Sequence, residues 1–166
     1  MPVAKRKRNE PKATRPNIPG YGLPKSTKGL LPWSWADQQL KKSREYFVTT
    51  VRPDGSPHVM IVWGLWIDNV FYFSTGKTSV KAKNLARNPR CVIATGRADT
   101  AVIVEGSAES IKVPPELNFF KTYEKKYKWD MSGMQEEPVF AVRPRVAFGL
   151  VEKTFSKSAT RWVFKD

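Results

Sequence analysis

Side chains that could bind an anion are concentrated in one stretch of the chain, between Phe71 and Pro89. Ser79 is a favourable helix N-cap residue, and the apolar residues at 82, 85 and 86 predict a short helix that ends before Pro89. The first turn of such a helix presents free backbone N–H groups and the positive end of the helix dipole. The side chains that could add donors there are Ser74, Thr75, Lys77, Thr78, Ser79 and Lys81. The stretch fits a phosphate-binding helix start, but its spacing alone leaves open an ordinary capped surface helix with basic side chains.

Several other kinds of chemistry are excluded by the residues present. Gly76-Lys77-Thr78 does not complete a nucleotide-binding P-loop, because Phe71 stands where the first glycine is required. With His58 and Cys91 as the single histidine and cysteine, the chain offers no zinc site, and no serine nucleophile motif accompanies His58. We interpret His58 as a strand-end histidine near a turn, and Cys91 as a buried core thiol. An enzyme this poor in acid–base and nucleophilic groups usually takes its chemistry from a cofactor.

Antiparallel strands must position the stretch from Phe71 to Pro89. The pattern predicts a strand from Tyr46 to Arg52, a hairpin turn at 53–56, and a strand from Pro57 to Ile67. The second strand is apolar on both faces, so we expect it to be central in the sheet or buried against a partner. Gly64 inside this run predicts close approach by a ligand or by another backbone. A two-residue turn at 68–69 then leads into the strand that ends near Phe73.

The remainder of the chain continues the same organisation. Further strands are predicted at 90–96, 101–113, 138–151 (interrupted at 143–145) and 160–164, and helices at 36–43 and from Pro115 to about Trp129. The aromatic stripe of the last helix, at 119, 120, 123 and 127, is interpreted as packing. The sum is a mainly β fold with flanking helices, in which six or seven antiparallel strands close into a small barrel because closure removes exposed edges.

Length and charge bound the domain organisation. The 166 residues predict one barrel domain at 31–166, preceded by a basic arm at 1–30 that we expect to be disordered or loosely draped. Residues 1–28 hold eight basic side chains against Glu10, so that half of the formal net charge of +14 lies there. An anionic partner is expected, but composition does not choose between nucleic acid, a phosphorylated cofactor and a membrane surface. The single cysteine and the absence of a long apolar run predict a soluble cytoplasmic protein without a membrane span.

Four motifs, in this order and spacing, resemble the pyridoxamine 5′-phosphate oxidase superfamily of flavin-binding split β-barrels. They are PDGSPHVMIVWG, FYFST, SVKAKNLARNPR and VIVEGSAE, and they lie between about Tyr46 and Lys112. The resemblance implies a six- to seven-stranded antiparallel split barrel that forms a homodimer. It also implies an oxidoreductase that binds FMN at the dimer interface and transfers hydride to or from a small organic substrate.

The same resemblance implies a set of cofactor-binding residues. The strand along the flavin ring corresponds to Val59, Met60, Ile61, Val62, Trp63 and Gly64, contacted largely through the backbone. The residues near the phosphate correspond to Ser74, Thr75, Ser79 and Lys81, and those from the partner subunit to Arg161 and Trp162. Val80 stands where the family has an arginine, so we add Lys77 as a substitute charge. No catalytic side chain is predicted.

The substrate and the cofactor remain open at this point. The family's phosphate-binding tyrosine and arginine correspond to Tyr123 and Tyr127, with no arginine, so pyridoxamine phosphate is not the expected substrate. A deazaflavin coenzyme of the F-420 type could replace FMN in the same site, with the basic residues Lys83, Arg87 and Arg90 near its anionic tail. Two alternatives of other classes are a nucleic-acid-binding barrel that uses the basic arm, considered unlikely, and a heme-handling protein.

Overall fold

The computed structural model describes residues 10–165, which form one nine-stranded antiparallel sheet with four α-helices. The strands are β1 (Lys12–Thr14), β2 (Tyr46–Val51), β3 (Pro57–Val62), β4 (Leu65–Ile67), β5 (Val70–Ser74), β6 (Arg90–Thr95), β7 (Thr100–Ile111), β8 (Val139–Val151) and β9 (Thr160–Val163). The helices are α1 (Trp33–Lys42), α2 (Val80–Arg87), α3 (Phe119–Tyr127) and α4 (Phe155–Ser158). Short 3-10 helices lie at Pro115–Leu117, Ser132–Met134 and Glu152–Thr154.

The two longest strands organise the sheet. β7 and β8 pair from Thr100↔Val151 to Ile111↔Val139. On the other edge of β8, its first part pairs with β5 and its later part pairs with β9. The strand order is β1-β9-β8-β7-β6-β2-β3, with β4 attached to β5. The sheet therefore divides along β8, as the predicted split barrel requires, and the predicted fold class is confirmed.

The predicted turns on either side of the strand from Pro57 to Ile67 are present in the structure. Gly55 has a φ of 85° in the turn between β2 and β3, and Asp68 and Asn69 both have positive φ in the two-residue turn between β4 and β5. The predicted interruption of the last long strand takes the form of a bulge, because the β7–β8 register shifts between Glu105 and Gly106. A Cβ at Gly106 would lie 2.3 Å from the carbonyl oxygen of Arg143, so the bulge requires glycine.

The prediction for the strand from Pro57 to Ile67 is wrong about its continuity. Of the two positions predicted for it, the central one is excluded, and burial against a partner stays a prediction. The run is broken into β3 and β4, which contributes one of the two strands beyond the seven predicted. In addition, β3 is an edge strand that pairs with β2 alone, and Val59 and Ile61 are 53% and 57% exposed. The apolar character on both faces of β3 therefore does not come from a central position within this chain.

Of the two alternatives predicted for Gly64, the structure supports close approach by another part of the chain. A Cβ at this position would lie 2.3 Å from Cζ of the buried Phe71 ring and 2.8 Å from the carbonyl oxygen of Tyr72. Glycine is thus required by the packing of β5 against the break between β3 and β4. A ligand is not needed to account for it.

The arm predicted to be disordered is ordered in part. β1 pairs with β9 at the edge of the sheet. The Arg15 guanidinium donates to the carbonyl oxygens of Lys157 and Ala159, at 2.7 and 3.0 Å, and to those of Ser26 and Lys28, at 2.8 and 3.0 Å. These hydrogen bonds, called the Arg15 clamp, hold the segment after β1 against the residues before β9. The segment after β1 shows no apolar periodicity in the sequence. The basic run at 5–8 lies outside the described residues.

Two groups of buried side chains form the core. The larger group fills the barrel interior beneath α1 and α2, and it contains Trp162, which is fully buried beside Trp33 at a ring distance of 5.3 Å. The smaller group lies under α3 and contains Phe119, Tyr123 and Tyr127, so the aromatic stripe is packing, as predicted. Within residues 10–165, no helix is long and apolar enough to cross a membrane.

We expect Arg15→Ala to lower the free energy of unfolding by about 2 kcal/mol, because it removes four charge-assisted hydrogen bonds to backbone carbonyl groups. Urea denaturation measures the change. Arg145→Ala is the matched control, since the Arg145 guanidinium is exposed and forms one long ion pair, 3.5 Å from Glu105. This variant should change the free energy of unfolding by less than about 0.5 kcal/mol. Equal stability of the two variants would show that the clamp contributes nothing.

We expect Gly64→Ala to destabilise the protein by about 1–3 kcal/mol, since the added methyl group overlaps the Phe71 ring. In the Gly64→Ala/Phe71→Leu double variant the two losses should be less than additive, because the smaller side chain makes room for the methyl group. A glycine retained for ligand approach would behave differently: Gly64→Ala would then leave the stability of the free protein unchanged.

Candidate functional site

The start of α2 has the capped geometry that the sequence predicts. The Ser79 hydroxyl accepts a hydrogen bond from the backbone N–H of Ala82 at 3.3 Å, and it lies 3.2 Å from the hydroxyl of the buried Thr75. The backbone N–H groups of Val80 and Lys81 bond to no group within residues 10–165. These two groups are free to bind an anion, whereas the hydroxyls of Thr75 and Ser79 are already used to fix the helix start.

Lys81 projects from the inward side of α2. At 100° per residue it lies between Asn84 and Leu85, both buried, and its own side chain is half-buried. None of the ion pairs within residues 10–165 includes Lys81. Burial lowers the pKa of the Lys81 ammonium, because desolvation disfavours its charge and no carboxylate offsets this. Lys81 is therefore a partly desolvated cation that lacks an anion.

Lys77 and Ser74 form hydrogen bonds with the loop that precedes β8. The backbone N–H of Lys77 donates to the Glu137 carboxylate at 2.7 Å, and the Ser74 hydroxyl donates to the carbonyl oxygen of Pro138 at 3.3 Å. The carboxylate reduces the positive potential that Lys77 was expected to supply. Sequence reasoning missed Glu137 because it lies 60 residues further along the chain, in a loop without periodic pattern.

The strand predicted to lie along the flavin ring is accessible. Val59, Met60 and Ile61 are exposed, and one backbone edge of β3 pairs with no other strand in the described part of the chain. Val62 is the exception, since its side chain is buried and only its backbone faces that edge. β3 thus offers an apolar surface together with unpaired main-chain donors and acceptors.

Helix α3 fixes the end of this strand. Trp63 stacks on Tyr127, with a ring distance of 4.7 Å and planes 5° apart. The Tyr127 hydroxyl accepts from the Gly64 N–H at 2.9 Å, and Lys126 donates to the Gly64 carbonyl oxygen at 3.0 Å. Burial lowers the pKa of Lys126 to about 8. Because both backbone groups of Gly64 have partners in α3, Gly64 does not present them to a cofactor.

A buried polar contact links the start of α2 to β3. The Asn84 amide donates to the Thr50 hydroxyl at 3.0 Å, and that hydroxyl lies 3.5 Å from Nδ1 of His58. Thr50 and His58 are opposite one another in the β2–β3 ladder. The contact places α2 against β2, next to His58 at the start of β3, and the signal in the sequence is an asparagine on the apolar face of a short helix.

The two residues assigned to the partner subunit behave differently. Trp162 is fully buried in the barrel and packs against Gly149, where a Cβ would lie 2.5 Å from its ring. Its side chain is therefore not presented at the surface of this chain, and its role at a partner's cofactor site stays a prediction. Arg161 alternates with Trp162 along β9 and lies on the outer face of the sheet, opposite Phe148. Cys91 is buried, and burial raises its pKa to about 12, as predicted for a core thiol.

An apolar row crosses the outer face of the sheet. Its members are paired in register on five neighbouring strands: Ile61, Phe47, Ala94, Ile103 and Phe148. Residues opposite each other in antiparallel strands share a face. Phe47 is 40% exposed, and the row continues into the exposed surface of β3.

Comparison with known proteins agrees with this architecture. The family model described as pyridoxamine 5′-phosphate oxidase matches residues 36–150. No curated protein matches the chain.

Three solved structures of similar fold come from different proteins. The conserved hypothetical protein Rv2991 from Mycobacterium tuberculosis is 23% identical with a TM-score of 0.65, covering 74% of this chain and 86% of its own. An F-420 reductase is 24% identical with a TM-score of 0.57, covering 67% and 94%. The heme storage protein HutZ from Vibrio cholerae is 14% identical with a TM-score of 0.57, covering 66% and 87%. At these identities the likeness concerns the fold.

Proposed function

Since the chain belongs to the pyridoxamine 5′-phosphate oxidase family, we propose that it is a flavin-dependent oxidoreductase that binds FMN and acts on a small organic substrate. The observation that carries this proposal is Lys81, a half-buried cation on the inward side of α2 without an anionic partner in the described residues. An ionic group that loses hydration without a partner is unfavourable, and a bound phosphate would compensate it.

The start of α2 supplies the remainder of the phosphate site. The free N–H groups of Val80 and Lys81 point out of the first helical turn, where the helix dipole favours negative charge. Ser79 keeps the turn in place by capping it. In this proposal Ser79 therefore acts by positioning, while Lys81 and the backbone contact the phosphate.

The exposed edge of β3 fits the flavin ring. An isoalloxazine ring has apolar faces and a polar rim, and β3 offers exposed apolar side chains beside unpaired backbone groups. Val59, Met60 and Ile61 would contact the ring. A bound flavin supplies the hydride chemistry, and the chain contributes orientation and electrostatics.

A deazaflavin coenzyme is the second candidate. Val80 is exposed where the family has an arginine, and the Glu137 carboxylate lies at the Lys77 amide. The site thus offers one well-placed cation, which suits the single negative charge of a phosphodiester better than the two charges of the FMN phosphate. The exposed side chains of Lys83, Arg87 and Arg90 would lie near the anionic tail of that coenzyme.

The outer face of the sheet supports the proposal of a homodimer. Its apolar row is exposed at Phe47 and Ile61 and half-buried at Ala94, Ile103 and Phe148, and it continues into the exposed side chains of β3. A second copy of the chain would bury this surface and bring its own outer face, including Arg161, towards the cofactor site. This accounts for the exposed apolar side chains on the outer face of β3, Val59 and Ile61.

We expect Lys81→Met to weaken FMN or deazaflavin binding by about 1.5–3 kcal/mol, the range for a charge-assisted hydrogen bond. Lys83→Met is the matched control for FMN, since Lys83 lies on the opposite, exposed side of the same helix and should change FMN binding little. Titration of the purified protein, followed by flavin or deazaflavin fluorescence, measures both. If the wild-type protein binds neither cofactor at micromolar concentration, or takes up only hemin, the proposed function is wrong.

We expect the wild-type chain to be a dimer in solution and Phe47→Glu/Ile61→Lys to be a folded monomer, because charges replace the centre of the exposed apolar surface. Light scattering after size-exclusion chromatography gives both masses. Lys41→Glu on the exposed side of α1 is the control and should stay dimeric. A monomeric wild-type protein would exclude the shared site.

A further inference from the structure

The contact between Asn84 and Thr50 is unusual for its position. Asn84 is 3% exposed on the inward side of α2, where apolar residues such as Leu85 otherwise pack. Thr50 is buried on β2, and the hydrogen bond between the two side chains is 3.0 Å long. A buried neutral hydrogen bond adds little net stability over an apolar pair of similar shape, but it is directional. Its contribution is therefore orientation.

No other side-chain hydrogen bond joins α2 to the sheet in residues 10–165. The other buried side chains of the helix, Ala82 and Leu85, are apolar, and their packing is less directional than a hydrogen bond. Helical side chains extend about 5–6 Å from the axis, so a rotation of about 20° displaces a side-chain end by about 2 Å. That displacement is sufficient to break a hydrogen bond from Lys81 to a ligand.

The Thr50 hydroxyl also lies on the path to β3. It is 3.5 Å from Nδ1 and from the carbonyl oxygen of His58, the residue opposite it in the ladder. Asn84 is one turn beyond Lys81 on the same side of α2. Asn84, on the helix that carries Lys81, is thus hydrogen-bonded to Thr50. Thr50 in turn lies beside His58, on the strand that carries Val59 to Ile61.

We propose that Asn84, acting through Thr50, is a positioning residue that sets Lys81 relative to β3 and thereby gives the site its preference for phosphorylated over unphosphorylated flavins. This inference rests on the proposed function, because it assigns the phosphate to Lys81 and the ring to β3. It goes further by locating ligand selectivity in two residues that contact no ligand.

The test compares FMN with riboflavin, which carries the same ring without the phosphate. The wild-type protein should bind FMN at least tenfold more tightly than riboflavin. Thr50→Val, which keeps the shape and removes the hydroxyl, should lower that ratio at least fivefold through weaker FMN binding, with riboflavin affinity unchanged within twofold. Asn84→Leu should do the same, and the double variant should be no worse than either single variant.

A purely structural role predicts a different pattern. The affinities for FMN and riboflavin would then fall together, and the ratio would stay constant in Thr50→Val. Thr50→Ser is the conservative variant, because it restores the hydroxyl and should restore the ratio. Thermal melting shows whether each variant is folded, and if Asn84→Leu does not fold, the Thr50→Val and Thr50→Ser pair decides the matter.

The outcomes separate this inference from the proposed function. A wild-type protein that prefers FMN, with Thr50→Val keeping the same preference, overturns only the positioning role. A wild-type protein that binds FMN and riboflavin equally, or binds neither, overturns the preference for phosphorylated flavins and with it the positioning role. If the deazaflavin coenzyme does not bind either, the proposed function is overturned as well.

Discussion

The long pairing of β7 with β8 is the constraint on which the remainder of the fold depends. One edge of β8 is occupied along its length, so the other edge must accept β5 near one end and β9 near the other. This division splits the sheet. The bulge at Gly106 allows the ladder to bend, since any larger residue would collide with the Arg143 carbonyl group. Beyond β7, the sheet continues through β6 and β2 to β3, which is therefore an edge strand.

The candidate site lies where that edge meets α2. The strand is exposed because no further strand within residues 10–165 covers it, and the helix is held against the neighbouring β2 by apolar packing and by the Asn84–Thr50 contact. The Lys81 cation, which has no ion-pair partner within residues 10–165, lies on the inward side of the helix. Apolar surface, free backbone groups and one desolvated charge are the features by which a protein recognises a flat, anionic cofactor.

Family resemblance transferred the fold more reliably than the role of each residue. Trp162 corresponds only loosely to a cofactor-contacting tryptophan, and here it fills the barrel interior. Gly64 suits ligand approach in the family, but here it makes room for Phe71, and its backbone groups bond to α3. A fold persists through many substitutions because it depends on patterns, whereas a role depends on one side chain and its immediate neighbours.

Local features could be predicted from the sequence alone: the Ser79 cap, the turn before Pro57, the turn at Asp68 and the burial of Cys91. Each depends on residues a few positions apart, or on the polarity of one side chain. The tertiary structure decided the edge position of β3, the clamp by Arg15 and the half-buried position of Lys81 outside every ion pair of the described residues. These depend on residues far apart in the chain; Arg15 and Lys157, for example, are separated by 142 positions. No periodic pattern in the sequence encodes such contacts, because they form only once the strands are assembled in the sheet.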